Sequence, residues 1–249
     1  MSLHTASHTV NLFIPCSMDM FSPAIPYSVV GLLEKLGDKI YYNPESTCCG
    51  RKFFMEGAID CAKQLGEKLM SEYDPKFPMV VPSSACVGYI KNHFRKLFEN
   101  VTVPAQLKQF THNIYELCDY IVNVKGITSL GNTFNQRVFY FKSCAARNMY
   151  KMGNEPETLL SNTRGLDLLT DDEINFCCSA NGRFAIRNSE VSDSMLKEIV
   201  DKVYNLGAQY ITSTDIHCLQ YIDAHIQSRG GGVEVIHIAD ILVGENETN

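Results

Sequence analysis

The chain has little positive charge to offer a polyanion. Its 249 residues include 22 lysines and arginines against 28 aspartates and glutamates, which gives a formal net charge of -6. Proteins that bind a phosphate backbone do so mainly through clustered cations. The composition therefore argues against nucleic acid as a partner.

Long apolar runs are also missing. No stretch approaches the roughly 20 consecutive apolar residues that a membrane-spanning helix needs. Residues 1–10 lack the basic start and the apolar middle of a secretory signal. We therefore expect a cytoplasmic protein with no membrane insertion, although 45% hydrophobic residues are enough for a substantial core.

Two common nucleotide-binding motifs are absent from the sequence. It contains neither Gly-x-Gly-x-x-Gly nor a Walker loop, and the run Gly230-Gly231-Gly232 is expected to form a turn before the last strand. The sequence thus gives no indication of an organic cofactor.

What the chain does contain is an alternation of extended and helical patterns. Extended runs occur at residues 10–15, 39–42, 78–82, 137–141, 208–212 and 233–238. Helical periodicity is found at residues 24–36, 53–73, 86–98, 113–124, 189–206 and 215–228. Such alternation predicts an α/β fold with mostly parallel sheets.

Eight of the ten cysteines form a pattern that occurs twice. Each half has a single cysteine, then an adjacent pair, then another single cysteine. The matched residues are Cys16 with Cys144, Cys48 with Cys177, Cys49 with Cys178, and Cys86 with Cys218. Their offsets of 128, 129, 129 and 132 residues are nearly constant, which indicates an internal duplication. We predict two tandem domains related by pseudo-symmetry, over residues 9–130 and 131–245.

The repeated cysteines are better explained as metal ligands than as core residues. A reducing compartment keeps cysteines as thiols, and thiolates are soft metal ligands. Cys86 and Cys218 fall near predicted helix N-termini, where the helix dipole favours the thiolate. Cys16 and Cys144 follow strands whose carboxyl ends form the crevice of an open α/β sheet. We therefore predict two sets of four ligands, which would suit either an iron-sulfur cluster or zinc.

Several other residues have two interpretations. Cys61 and Cys118 lie within helical patterns and have no counterpart in the other half, so we interpret them as packing residues. Arg51 and Arg183 follow the cysteine pairs and would either offset the negative charge of a cluster or substrate, or form surface salt bridges. His217, which precedes Cys218, would either contact a cluster or serve as a polar residue at a helix start.

With these cysteines in view, the chain resembles the CCG-domain family, which is cysteine-rich and related to heterodisulfide reductase. The likeness covers residues 10–243. Its motifs include Pro15-Cys16-x-x-Asp19, Thr47-Cys48-Cys49-Gly50, Val81-Pro82-Ser83-Ser84-Ala85-Cys86 and the stretch 215–239.

The resemblance implies two Rossmann-like α/β domains, with one or two [4Fe-4S] clusters per chain near the cysteine-lined crevices. Within the family the chain is similar to the iron-sulfur subunits of bacterial L-lactate oxidation. That similarity implies an electron-transfer subunit that works with companion iron-sulfur and accessory subunits of a lactate-oxidising complex, which converts L-lactate to pyruvate.

The sequence departs from the family at both sites. Relatives with non-cubane clusters use a fifth cysteine, where this chain has Tyr89 in one half and Tyr221 in the other. After the second cysteine pair, Ser179-Ala180-Asn181 stands where the family usually has Gly-Phe-Gly, so two glycines are lost. The missing fifth cysteine argues against a non-cubane cluster, and the lost glycines predict that the second site differs in cluster type or is degenerate.

Two alternative functions remain open from the sequence. One is a zinc- or thiol-based structural module that holds a closed tetrahedral site. The other is a related redox subunit that acts on glycolate or on a disulfide. Under either redox hypothesis the chain is a subunit of an oxidoreductase complex and is not expected to be active alone.

Overall fold

The computed structural model describes residues 8–99, 104–171, 173–174, 176–180 and 182–244. In that part of the chain, eight strands form two sheets. The first sheet contains β1 (Thr9–Leu12), β2 (Lys39–Tyr42), β3 (Met79–Val81) and β4 (Ile114–Glu116). The second contains β5 (Arg137–Tyr140), β6 (Asp167–Leu169), β7 (Tyr210–Ser213) and β8 (Glu234–His237).

The two sheets have the same topology. The spatial orders are β2-β1-β3-β4 and β6-β5-β7-β8, and every strand pair is parallel. In the first sheet Leu12 pairs with Tyr42 and Val80, and in the second Phe139 pairs with Leu169 and Ile211. This confirms the predicted α/β fold with two similar parallel sheets. The boundary between residues 130 and 131 stays a prediction, and residue 245 lies outside the described residues.

Helices connect the strands, as parallel sheets require. In the first half they are α1 (Cys16–Phe21), α2 (Ile25–Lys35), α3 (Arg51–Met55), α4 (Ile59–Glu72), α5 (Ser84–Leu97), α6 (Pro104–His112) and α7 (Leu117–Asp119), which continues as a π-helix over Tyr120–Val124. A second π-helix spans Ala145–Tyr150. It is followed by α8 (Glu155–Ser161), α9 (Gly182–Arg187), α10 (Ser189–Asn205), α11 (Ile216–Ser228) and α12 (Ile238–Val243). Among the helices of the described residues, none combines the length and apolarity needed to cross a bilayer.

The sequence patterns misplaced several elements. Residues 113–124 were expected to be helical throughout, but β4 occupies their start because Met79 and Val81 of β3 pair there with Ile114 and Glu116. The helix predicted over residues 53–73 is broken at Gly57, which has a φ of 81°. Strand β6 was not predicted, because it has only three residues and contains no β-branched side chain.

Alternating side chains cover both faces of each sheet with apolar contacts. In β1, Val10 and Leu12 face a central core that also contains Ile238 and Leu242 of α12. Phe13 faces the opposite side, where α4 and α5 cover the first sheet. A third cluster, built on Phe139, α10 and α11, covers the outer face of the second sheet. The central core therefore joins the two halves of the chain.

A close helix contact also joins the halves near their cysteines. A Cβ added at Gly88 of α5 would lie 2.9 Å from the Met149 Cβ and 2.9 Å from the Tyr150 nitrogen of the second π-helix. Asn92 of α5 donates a hydrogen bond to the Met149 carbonyl at 2.6 Å. The helix that begins near Cys86 thus packs against the segment that follows Cys144.

Candidate metal centres

The first group of cysteines lies at the carboxyl ends of three parallel strands. Cys16 begins α1 after β1, Cys48 and Cys49 lie in the loop between β2 and α3, and Cys86 is in the first turn of α5 after β3. The Cys16 Sγ is 3.4 Å from the Cys48 Sγ, and the Cys49 Sγ is 3.5 Å from the Cys86 Sγ. Folding therefore brings together all the thiols predicted for this half.

The second group repeats this arrangement. The Cys144 Sγ is 3.3 Å from the Cys177 Sγ. Cys178 interacts through its thiol with both Cys177 and Cys218. All ten cysteines of the chain are free. Cys118 is buried in α7, as expected of a packing residue, whereas Cys61 is exposed on α4, so the packing interpretation is wrong for Cys61.

Contacts among the sulfurs divide the thiols by acidity. The pKa of Cys48 is held well below its usual range because it accepts hydrogen bonds from Cys16, Cys49 and the Gly50 N–H. The same kind of contact, from Cys144, Cys178 and the Ser179 N–H, lowers the pKa of Cys177. Each group therefore contains one preferred thiolate, which is the form that binds metals.

The backbone after each cysteine pair has the same left-handed conformation. Gly50 has a φ of 85°, and Ser179 at the matching position has a φ of 58°. The Gly50 N–H points to the Cys48 Sγ at 3.4 Å, and the Ser179 N–H points to the Cys177 Sγ at 3.3 Å. The serine that replaces a family glycine thus keeps the turn, and its hydroxyl forms a buried hydrogen bond with the Ser192 hydroxyl.

Replacing Gly50 by alanine is expected to destabilise the loop that holds Cys48 and Cys49. The substituted residue would keep the left-handed φ of 85°, which is strained for a residue with a Cβ and costs about 1–2 kcal/mol. It would also lie 3.0 Å from the Ala62 carbonyl oxygen, which is backbone and has little freedom to move away. Urea unfolding of the Gly50→Ala protein should show a lower free energy of unfolding by about 2 kcal/mol or more.

Gly37→Ala is the matched control, because Gly37 has a φ of 77° and a Cβ added there would meet no atom of the described residues within 4 Å. That variant pays only the backbone strain, so it should lose about 1 kcal/mol. Equal losses in the two variants would show that the contact with Ala62 is unimportant.

Two basic residues interact electrostatically with cysteines of the opposite half of the chain. Arg51 follows the first cysteine pair, yet its charge helps to lower the pKa of Cys177 in the second group. His217 precedes Cys218, yet it interacts electrostatically with Cys48 in the first group. Desolvation, followed by the nearby Arg51, lowers the pKa of His217. One basic side chain from each half therefore lies within electrostatic range of the cysteine group of the other half.

The matching arginine in the second half behaves differently. Arg183 is 61% exposed, and its Nε lies 3.8 Å from a Glu56 carboxylate oxygen. Arg183 therefore forms a surface salt bridge, which is one of the two interpretations given above for both arginines. His237, at the end of β8, is buried and accepts a hydrogen bond from the Ala239 N–H at 3.2 Å.

Sequence reasoning missed the residue that links the cysteine-bearing segments. Asp215 is 2% exposed and accepts hydrogen bonds from the Ser83 hydroxyl at 2.9 Å and from the Ala85 N–H at 2.8 Å. The Ser143 hydroxyl donates to its other carboxyl oxygen. One side chain thus ties together the segments that lead into Cys86, Cys144 and Cys218. The one sequence signal was that Ser83 and Asp215 are matched positions with the same offset as Cys86 and Cys218.

A family model described as a cysteine-rich domain, CCG, matches residues 10–91 and 138–223. The chain belongs to the CCG cysteine-rich domain family. Each matched region includes the first three strands of one sheet, apart from the first residue of β1 and of β5, together with the cysteine group of that half. The expected family membership is confirmed.

Two relatives match nearly the whole chain of this CCG protein. Lactate utilization protein A of Macrococcus caseolyticus is 30% identical over 96% of this chain and 97% of its own length. Lactate utilization protein A of Oceanobacillus iheyensis is 31% identical, over 94% and 96%. Both relatives are named for lactate utilization.

Among solved structures, a hypothetical protein from Helicobacter pylori has a TM-score of 0.57 and 14% identity. It matches 97% of this chain, whereas the chain spans 50% of that protein. At this identity the likeness concerns the fold alone, and it agrees with the α/β architecture.

Proposed function

We propose that this CCG protein is an iron-sulfur electron-transfer subunit of a complex that oxidises L-lactate to pyruvate. The observation that carries the proposal is the convergence of thiols at the carboxyl ends of each parallel sheet, at 3.3–3.5 Å between neighbouring sulfurs. The names of the relatives supply the substrate. Companion iron-sulfur and accessory subunits would complete the complex.

The proposed ligands are the repeated cysteines, four for each [4Fe-4S] cluster. They are Cys16, Cys48, Cys49 and Cys86 in the first half, and Cys144, Cys177, Cys178 and Cys218 in the second. The donor set fits this group, because thiolates are the usual ligands of such clusters and a backbone N–H already points to one sulfur in each half. When bound, a cluster supplies one-electron transfer.

The protein around the sulfurs fits a redox role. Cys49 and Cys178 are nearly inaccessible to solvent, which limits water around the site. Arg51 provides positive charge close to the second group, where it would offset the charge of thiolates. Because His217 and Arg51 each interact with the cysteine group of the opposite half, two clusters would lie near the junction of the halves, which suits passage of electrons between them.

A closed zinc site is less well supported by this geometry. Zinc is held by four ligands around one ion. Within the described residues, no group of three or more His, Cys, Asp and Glu side chains is arranged to hold a single metal ion. The neighbouring sulfurs instead form pairwise contacts of 3.3–3.5 Å. We place the protein in the cytoplasm, where a reducing environment keeps its ten free thiols available.

Metal analysis of protein purified without oxygen tests the cofactor. We expect iron and acid-labile sulfide in equal amounts, about four of each per cluster, with visible absorption that fades on reduction and an EPR signal that appears. Stoichiometric zinc without sulfide would instead show a structural module.

The substrate is tested on a complex that is isolated through a tag on this chain from lactate-grown cells, again without oxygen. Adding L-lactate should bleach the visible absorption, whereas glycolate and a disulfide should not. Bleaching by either of the latter two, with none by lactate, would assign the subunit to a different oxidoreductase.

A further inference from the structure

Tyr89 presents a buried hydroxyl that the folded chain does not use. The side chain is 0% exposed, and its hydroxyl oxygen has no hydrogen-bond partner within the described residues. Folded proteins rarely leave a buried hydroxyl unpaired, because the loss of its bonds to water is then uncompensated. A partner outside the protein chain is therefore expected.

The position of Tyr89 directs it to the first cysteine group. It lies three residues after Cys86 in α5, a spacing that places two side chains on the same face of a helix. It packs in the same apolar cluster as Cys49, with Cys48 and Cys86 against that cluster. Tyr89 therefore packs within the apolar cluster that the cysteines of the first half also contact.

Neighbouring rings fix the orientation of the tyrosine. Its ring centroid is 5.3 Å from Phe54, 5.7 Å from His93 and 5.5 Å from Phe94. Desolvation, followed by the charges of Cys49 and Cys48, raises the pKa of Tyr89. A phenol is protonated at neutral pH in any case, so it can donate a hydrogen bond to a sulfur.

We propose that the Tyr89 hydroxyl donates a hydrogen bond to the sulfur of the iron-sulfur core in the first half and thereby raises its reduction potential. The inference rests on the proposed function. A donor stabilises the reduced core more than the oxidised core, because the reduced core is more negative. Tyr89 is thus a tuning residue for the core and takes no part in the reaction with substrate.

The second half provides a contrast within the same molecule. Tyr221 is the matching residue of α11, but it is only partly buried. A partly exposed hydroxyl can bond to water, so it has no comparable need for a sulfur partner. We expect the core of the first half to depend on its tyrosine and that of the second half to depend on it much less.

The test is a potentiometric titration, followed by EPR, of the Tyr89→Phe protein purified without oxygen. Phenylalanine keeps the ring contacts and removes only the hydroxyl. The equilibrium constant for reduction of the first-half core should fall about tenfold, which equals about 59 mV for one electron. Tyr221→Phe is the matched control, and it should change the second-half constant less than about threefold.

A second variant keeps the test decisive if Tyr89→Phe loses iron. Incorporation of 3,5-difluorotyrosine in place of Tyr89 keeps the hydroxyl and makes it a stronger donor, so the first-half potential should rise. Unchanged first-half potentials in iron-loaded variants would overturn the inference and leave the proposed function standing. Wild-type protein without iron and sulfide would overturn the proposed function itself.

Discussion

Cys49→Ser protein is expected to lose the iron of the first half and to keep that of the second. Cys49 is 3% exposed, and its sulfur lies 3.5 Å from that of Cys86. A serine hydroxyl is a hard donor with a far higher pKa than a thiol, so it replaces a soft thiolate poorly. Iron and sulfide should fall to about half of the wild-type content if both halves hold clusters.

Cys178→Ser is the mirror experiment, since Cys178 is the matched buried cysteine of the second half. It should remove the other half of the iron and leave the EPR signal that Cys49→Ser removes. Cys61→Ser serves as the control because Cys61 is exposed on α4 and has no counterpart in the other half. Full iron content in both Cys49→Ser and Cys178→Ser, or a large loss in Cys61→Ser, would contradict the ligand assignment.

The grouping of the cysteines could be predicted from the sequence because the topology of a parallel sheet largely determines it. Cysteines that follow parallel strands are brought to one edge of the sheet, whatever the details of the loops. The repeat then predicted the same arrangement twice, and the described sulfurs do lie together in both halves. Which metal they bind is a question of chemistry that spacing alone leaves open.

The contacts between the two halves could not be predicted from the sequence. The contact of Asp215 with Ser83 spans 132 residues, and that with Ser143 spans 72. No local pattern encodes such a partner, and an aspartate at a helix start is usually interpreted as a cap. The electrostatic effect of Arg51 on Cys177, in the other half, could not be predicted for the same reason. The prediction of short strands failed for a different reason. A strand of three residues, such as Ile114–Glu116, has too short a pattern to be distinguished from the helical pattern of the residues that follow it.

Asp215→Ala is expected to weaken both cysteine groups at once. The substitution leaves the Ser83 hydroxyl, the Ala85 N–H and the Ser143 hydroxyl without their acceptor in a buried site. Each unsatisfied buried donor costs about 1–3 kcal/mol, so the free energy of unfolding should fall by about 3 kcal/mol or more. Urea unfolding measures this loss, and iron analysis should show reduced content in both halves.

Serine variants separate the linking role of Asp215 from a general loss of stability. Ser83→Ala removes the hydroxyl that donates to Asp215 and accepts from the Cys86 N–H at 3.3 Å. It should cost about 1–3 kcal/mol, with any loss of iron confined to the first half. Ser143→Ala should do the same for the second half, because Ser143 precedes Cys144. If Asp215 acts only on its own helix, Asp215→Ala will affect the second half alone and the first-half EPR signal will keep its full intensity. Loss of both signals, with one signal lost in each serine variant, would identify this carboxyl group as the tie between the two sites.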